Sequence, residues 1–184
     1  MATEQARAVS RGTLLHSWTS GWLRVDTERV ELPGGHETEL AVVRHPGAAC
    51  VLPFLGDDEV LLIRQYRHAT GGTLLEAPAG KLDPGELPEA CAARELIEET
   101  GYRADRIEHL SSIWTTPGFS DEVIHLYAAF DLTHVGQRLE PDEVIELAPM
   151  SLDAALAQVF SGELRDAKTA LALLLVARKL GRTP

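Results

Sequence analysis

Glu95, Glu98 and Glu99 lie close together in the sequence and could act as one group. Residues advance about 100° each around an α-helix, so on a helix these three side chains share an arc of about 100°. Like charges at that spacing destabilise a helix, and a helix that carries such a stripe calls for a cation to offset it. Hard divalent cations such as Mg²⁺ take carboxylate oxygens, keep several waters and bridge to substrate phosphates. The stripe follows Gly80-Lys81-Leu82-Asp83-Pro84-Gly85-Glu86. Its glycines allow a tight turn and bring backbone carbonyls near such an ion. Arg94 is always charged and can brace a carboxylate in a bidentate pair; Glu86 is its candidate partner. Adjacent glutamates without that loop would more often describe a solvated acidic helix face. The loop turns the balance toward a metal site.

Composition bounds what such a site can serve. At 184 residues the chain suits one domain with a small appendage. With 45% hydrophobic and 24% charged residues, wholesale disorder is excluded. Lys and Arg number 17 against 28 Asp and Glu, a net charge of −11. Such a surface repels nucleic-acid phosphates and argues against a nucleic-acid partner. An anionic small-molecule substrate would need a local cation. Cys50 and Cys91 cannot build a disulfide scaffold and sit in apolar or helical stretches, so they are read as buried free thiols. No apolar run approaches the ~18–20 residues that span a bilayer. Met1 to Arg11 has no apolar signal core and reads as frayed. A cytoplasmic soluble protein without membrane partners is expected. The seven histidines show no close ligand spacing, and none is assigned a metal.

The elements that must position the glutamates follow from pattern. Strands are expected over Thr13–Thr19, Trp22–Leu32 and Glu39–Arg44, with Pro33-Gly34-Gly35 as a turn. Ala48–Leu55 and Val60–Ile63, joined by Gly56-Asp57-Asp58, read as a hairpin, and Thr73–Ala77 as a short strand. Leu87 to Thr100 reads as a helix, with Pro88 near its start and Gly101 as its stop. Strands over Ile107–Thr115, Glu122–Phe130 and Val144–Pro149 follow. Helices are expected over Leu152–Phe160, opened by Ser151, and over Asp166–Leu180. This order suggests an α/β layer fold with a mixed sheet and helices on its faces.

Gly80, five residues, Glu86, seven residues, then Arg94-Glu95-Leu96-x-Glu98-Glu99-x-Gly101 resembles the box of the Nudix hydrolase superfamily. Eight fixed letters, each at about one in fifteen, match by chance on the order of once in 10⁹ positions. Tyr102 departs from the aliphatic residue the pattern prefers, and can fill the same half-buried slot. The resemblance implies an α/β (α+β) fold: a mixed β-sheet sandwiched between helices, preceded by an N-terminal antiparallel β-sheet segment. Residues 1–45 would form that segment and residues 46–184 the Nudix domain. It also implies hydrolysis of a nucleoside diphosphate linked to another moiety, with Mg²⁺ or Mn²⁺. Glu95, Glu98, Glu99 and the Ala79 carbonyl would hold the metal. Gly80, Glu86, Arg94 and Gly101 would be structural in the box, with Glu86 an organiser or outer ligand.

Pro117, fifteen residues after Tyr102, is at the offset that marks the ADP-ribose pyrophosphatase group. Thr116–Glu122 resembles that group's catalytic loop, Arg64–Arg67 its substrate-binding strand, and Leu75–Gly80 its lead into the box. The resemblance covers roughly Ala48–Pro149. ADP-ribose and water would give AMP and ribose 5-phosphate. Glu122 is the candidate general base, with a box glutamate such as Glu98 as the alternative. Arg67 is the leading candidate for the diphosphate or terminal ribose, with Arg64 competing. Glu76 would contact substrate or brace a dimer partner. Trp22 would stack on adenine, whereas Trp114 is expected in the core. The N-terminal strands imply a homodimer. Alternatives are a hydrolase of GDP-mannose or a UDP-sugar, and a non-catalytic nucleotide sensor. The intact box and the short, apolar Ser151–Pro184 segment argue against the sensor.

Overall fold

The computed structural model describes residues 12–141 and 143–182. The N-terminal stretch up to Arg11, expected to fray and to lack a signal core, lies outside them. The chain forms β1 (Thr13–Ser20), β2 (Leu23–Glu31), β3 (Glu37–Arg44), β4 (Ala48–Pro53), β5 (Glu59–Arg67), β6 (Gly72–Glu76), β7 (Ala79–Lys81) and α1 (Pro88–Glu95). After α1 come β8 (Tyr102–Trp114), β9 (Val123–His134), β10 (Ile145–Ser151), α2 (Leu152–Ser161) and α3 (Ala167–Lys179). Contacts divide these elements into two compact units. One takes the described part of residues 1–45 with Trp114–Glu122; the other takes Pro46–Ile113 with the segment from Val123 onward.

The first unit is an antiparallel sheet in the order β1-β2-β3. Its β2 alternates as expected, but the two buried side chains are the charged ones, Asp26 and Glu28. Arg44 explains this. Its guanidinium pairs with Asp26 at 3.1 Å, with Asp121 at 3.0 Å and with Glu28. Ser17 donates to the second Asp26 oxygen at 2.7 Å. Buried charges persist only when paired in this way. The same contacts, with Val43 N–H donating to the Phe119 carbonyl at 2.7 Å, tie the Trp114–Glu122 loop to β3.

In the second unit a mixed sheet runs β7-β4-β9-β8, with β4 parallel to β9 and antiparallel to β7. Every residue of β4 is buried, as a central strand covered on both faces must be. Successive side chains point to opposite faces. Ala48, Cys50 and Leu52 therefore meet Leu173 and Val176 of α3 and Leu152 of α2. Ala49 and Val51 meet Cys91 and Ala92 of α1 and Leu96 just beyond it. The sheet between helices implied by the resemblance is the observed fold, and both cysteines are buried free thiols.

The expected hairpin of Ala48–Leu55 with Val60–Ile63 does not form. β5 lies in a second sheet, between β10 and β6, and its ladder to the chain beyond β4 is confined to the Phe54–Val60 bridge and the Leu55 N–H donating to the Glu59 carbonyl at 2.9 Å. Apolar runs on both sides of a turn specify two buried strands but not their pairing; the fully buried β4 takes β7 and β9 as neighbours instead. No helix of the described residues is long and apolar enough to cross a membrane.

Candidate active site

The glutamate stripe sits where α1 ends. Pro88 occupies its first turn, where a missing N–H costs nothing. Leu96–Thr100 continues the helix as a π turn rather than the α-helix expected to Thr100. The Thr100 hydroxyl donates to the Leu96 carbonyl, competing with the backbone ladder. Gly101 closes the turn at φ 76°, and its N–H donates to Ile97 at 2.9 Å. A side chain at Gly101 would put Cβ 2.6 Å from the Gln137 nitrogen, so glycine is required twice over. Because the π turn winds differently, the glutamates part company. Glu99 turns inward and is 1% exposed, while the Glu98 side chain stays 37% exposed.

Arg94 organises the carboxylates around it. Its Nε and Nη2 donate to the two Glu86 oxygens at 2.9 and 3.0 Å, the bidentate pair anticipated for these residues. Nη1 donates to Glu95 at 2.6 Å and to Glu98 at 3.0 Å. Nη2 also reaches the Lys81 carbonyl at 3.0 Å. The Arg94 contact holds the Glu86 carboxyl down at about 2. Cys91 joins loop to helix, its thiol donating to the Lys81 carbonyl at 3.4 Å.

Glu95 and Glu99 face the short strand β7. The Ala79 N–H donates to Glu99 at 3.0 Å. The Glu95 carboxylate lies so close to Gly80 that a Cβ there would stand 1.8 Å from its oxygen. Glycine at position 80 is thus a cradle for Glu95. Burial pushes the Glu95 carboxyl up. Burial, and then the Glu95 charge, push Glu99 up to about 8.

These groups line a cavity of about 180 Å³ with Gln65, Arg67, Lys81, Asp83, Glu140 and Glu143. The last two arrive on the connection between β9 and β10, which is pinned to the end of the π turn. Val135 N–H donates to Gly101 at 2.7 Å, Arg138 N–H to Glu98 at 2.9 Å, and the Gln137 amide to Glu99 at 2.6 Å, all at carbonyls. Six carboxylates therefore face three cationic side chains in one cavity.

The donor set fits a hard divalent cation. Its ligand atoms are oxygens. Glu99, which burial keeps from ionising, is the kind of carboxyl that a neighbouring dication would bring to its charged form. Among the described residues no three His, Cys, Asp or Glu side chains are gathered tightly enough to hold an ion as they stand; Arg94 supplies the countercharge for Glu95 and Glu98.

Residues 43–173 match the NUDIX domain family. The chain belongs to the Nudix family. It is 41% identical to an ADP-ribose pyrophosphatase of Bacillus subtilis (strain 168) over 148 residues, 79% of this chain and 80% of that one. It is 43% identical to a GDP-mannose pyrophosphatase of Cronobacter sakazakii over 150 residues, 72% of this chain and 78% of that one. A crystal structure of an ADP compounds hydrolase superposes with a TM-score of 0.78, covering 97% of this chain and 100% of that chain at 24% identity, and supports the Nudix fold.

The remaining residues singled out from the sequence distribute unevenly over this Nudix chain. Arg67 lines the cavity and is held by Glu76 through Nε at 3.0 Å and Nη2 at 2.9 Å. Arg64 is exposed and is not part of the cavity lining; an odd-numbered offset on β5 points it to the other face. Glu76 is 1% exposed. Besides Arg67 it accepts from Lys168 at 2.6 Å, and Lys168 is paired in turn with Asp166 at 2.9 Å. Trp22, in the N-terminal unit, is 53% exposed and edges the His45 ring at 5.0 Å. Glu122 accepts from the Thr115 hydroxyl at 2.6 Å and faces His45 Nε2 at 3.3 Å. Trp114, expected in the core, is 60% exposed. Ile113 takes the core side of β8, so its neighbour must face away.

Sequence reasoning missed Gln65, Glu140 and Glu143. Glu140 and Glu143 lie in a stretch without periodicity, far along the chain from the box. Gln65 could have been found, since strand alternation puts it on the face of Arg67.

Proposed function

We propose that this protein hydrolyses the diphosphate of ADP-ribose, with Mg²⁺ and with Mn²⁺ as the alternative ion, to give AMP and ribose 5-phosphate. The observation that carries this is the single cavity in which Glu95, Glu98, Glu99 and Ala79 meet Arg67. The ADP-ribose pyrophosphatase relative supports the choice of substrate. Glu95, Glu98, Glu99 and the Ala79 carbonyl would hold the ion; when bound, it supplies charge neutralisation for the diphosphate and lowers the pKa of a water. Arg67, its guanidinium fixed by Glu76, would orient the diphosphate or the terminal ribose. Water adds its oxygen to one phosphorus while the bridging P–O bond breaks, and a carboxylate takes the water's proton. Glu143 lines the cavity and is proposed for that role. Glu122, on the Thr116–Glu122 loop, is the alternative base. Positioning and electrostatics account for most of the rate in such a reaction.

A panel of nucleoside diphosphate sugars with Mg²⁺ or Mn²⁺ tests the assignment. ADP-ribose should lead, and excess chelator should abolish both turnover and productive binding. ADP-ribose at the bottom of the ranking would overturn the substrate. The GDP-mannose pyrophosphatase relative makes GDP-mannose the second reading, and its place at the top would establish it. Product oxygen from ¹⁸O-water then marks the attacked phosphorus.

We also infer a homodimer formed through the N-terminal sheet. Leu14, Trp18, Trp22 and Leu40 in this unit are 56%, 57%, 53% and 43% exposed. The register sets Leu14 and Leu40 on either side of Glu28, on one face of the sheet, and an exposed apolar patch of this kind marks an interaction surface. Sedimentation at micromolar concentration should give twice the chain mass; a fully active monomer would exclude it.

A further inference from the structure

Gln65 carries a feature that the site assignment leaves unused. Among the described residues, its Oε1 is the one buried side-chain nitrogen or oxygen without a hydrogen-bond partner. The residue is 7% exposed and lines the acidic cavity. Its backbone is fixed on both sides, opposite Ile145 of β10 and Leu74 of β6, so the side chain cannot leave by a shift of the strand. A buried acceptor without a donor costs folding free energy, and each such group in a native protein calls for a reason. Once a cation has displaced the Glu99 proton, the carboxylates of the cavity are acceptors themselves and cannot supply a hydrogen. Arg67, two residues along on the same face, donates its Nε and Nη2 to Glu76, and neither it nor any other described donor reaches the Gln65 oxygen. The missing donor is therefore sought in what the cavity binds. An ionised diphosphate has no hydrogen to give, whereas an O–H does.

Resting on the metal and diphosphate assignment above, we propose that Gln65 Oε1 is a positioning acceptor for an O–H of the bound ligand. The donor is a water on the divalent cation or a hydroxyl of the sugar. Gln65 thereby orients the ligand without touching the reacting phosphorus.

Gln65→Met and Gln65→Leu remove the acceptor while keeping bulk, and running both guards against a packing fault in either. In chelator, their melting temperatures should equal or exceed that of the wild type, because an unsatisfied group has been deleted. Mn²⁺ binding without substrate is then followed by electron paramagnetic resonance, and binding of methylene-bridged ADP-ribose is measured at saturating Mn²⁺. An affinity loss of about tenfold for Mn²⁺ identifies the donor as a cation-bound water. Unchanged Mn²⁺ affinity with a loss of about tenfold for the analogue identifies a sugar hydroxyl. No change in either, or lower melting temperatures with binding intact, overturns the proposal. If the wild type itself fails to bind Mn²⁺, the site assignment falls, and this proposal with it.

Discussion

Glu99→Gln is expected to lower metal-dependent turnover by roughly 10²–10³-fold, as deletion of one preorganised electrostatic group does. Moderate excess Mg²⁺ should not restore it. Glu99 is 1% exposed, anchored by the Ala79 N–H, and faces the cavity beside Glu95. Its metal-free carboxyl titrates at about 8 instead of 4.5, through burial first and the Glu95 charge second. Between those two values the folded chain keeps a proton that the unfolded chain has released. The contribution of Glu99 to stability is therefore undiminished below 4.5, falls as pH rises toward about 8, and then levels off. Glu99→Gln should remove this slope, so in chelator its melting temperature should decline less across that window than that of the wild type. Metal binding must displace the proton, and Mg²⁺ should stabilise the wild type more as pH rises. Parallel melting profiles for the two proteins would refute the buried-carboxyl account. An active, metal-saturable variant would remove Glu99 from the cation's ligands.

The second large effect is expected at the base. Glu143→Gln should lower turnover by about 10²–10⁴-fold with little change in KM or in Mn²⁺ affinity. Glu143 stands in the same cavity as the box glutamates. Glu122 instead has its carboxylate engaged by Thr115 and His45. If Glu122→Gln shows the loss and Glu143→Gln does not, the base is Glu122. If neither does, the role passes to a box glutamate, with Glu98, the most exposed of the three, tested next.

The box was legible because its parts are neighbours in the chain. Helix periodicity brings Glu95, Glu98 and Glu99 to one end of α1, and a bidentate Arg94–Glu86 pair spans only a short loop. The π turn over Leu96–Thr100 was not legible. It depends on a hydroxyl competing with backbone carbonyls and on a loop seated against Gly101, neither of which has a periodic signature. Buried β4 and β5 were recognised as strands, but their partners were not, because the hydrophobic pattern specifies burial without naming the neighbour. Trp114 shows the same limit: size and apolarity suggested the core, and strand phase decided otherwise.

The family, the glutamate stripe, its arginine brace and the glycines that cradle it could all be read from residue identity and spacing along the chain. Local geometry is set by bonds and turn propensities that act over a few residues. The acidity of the cavity as a whole, the burial that pushes Glu99 up, the separation of Arg67 from Arg64, and the entry of Glu143 and Gln65 required the folded chain. Each depends on which strands lie side by side and which loop covers them. Those pairings are chosen by burial summed over the whole core, which no single stretch of sequence contains.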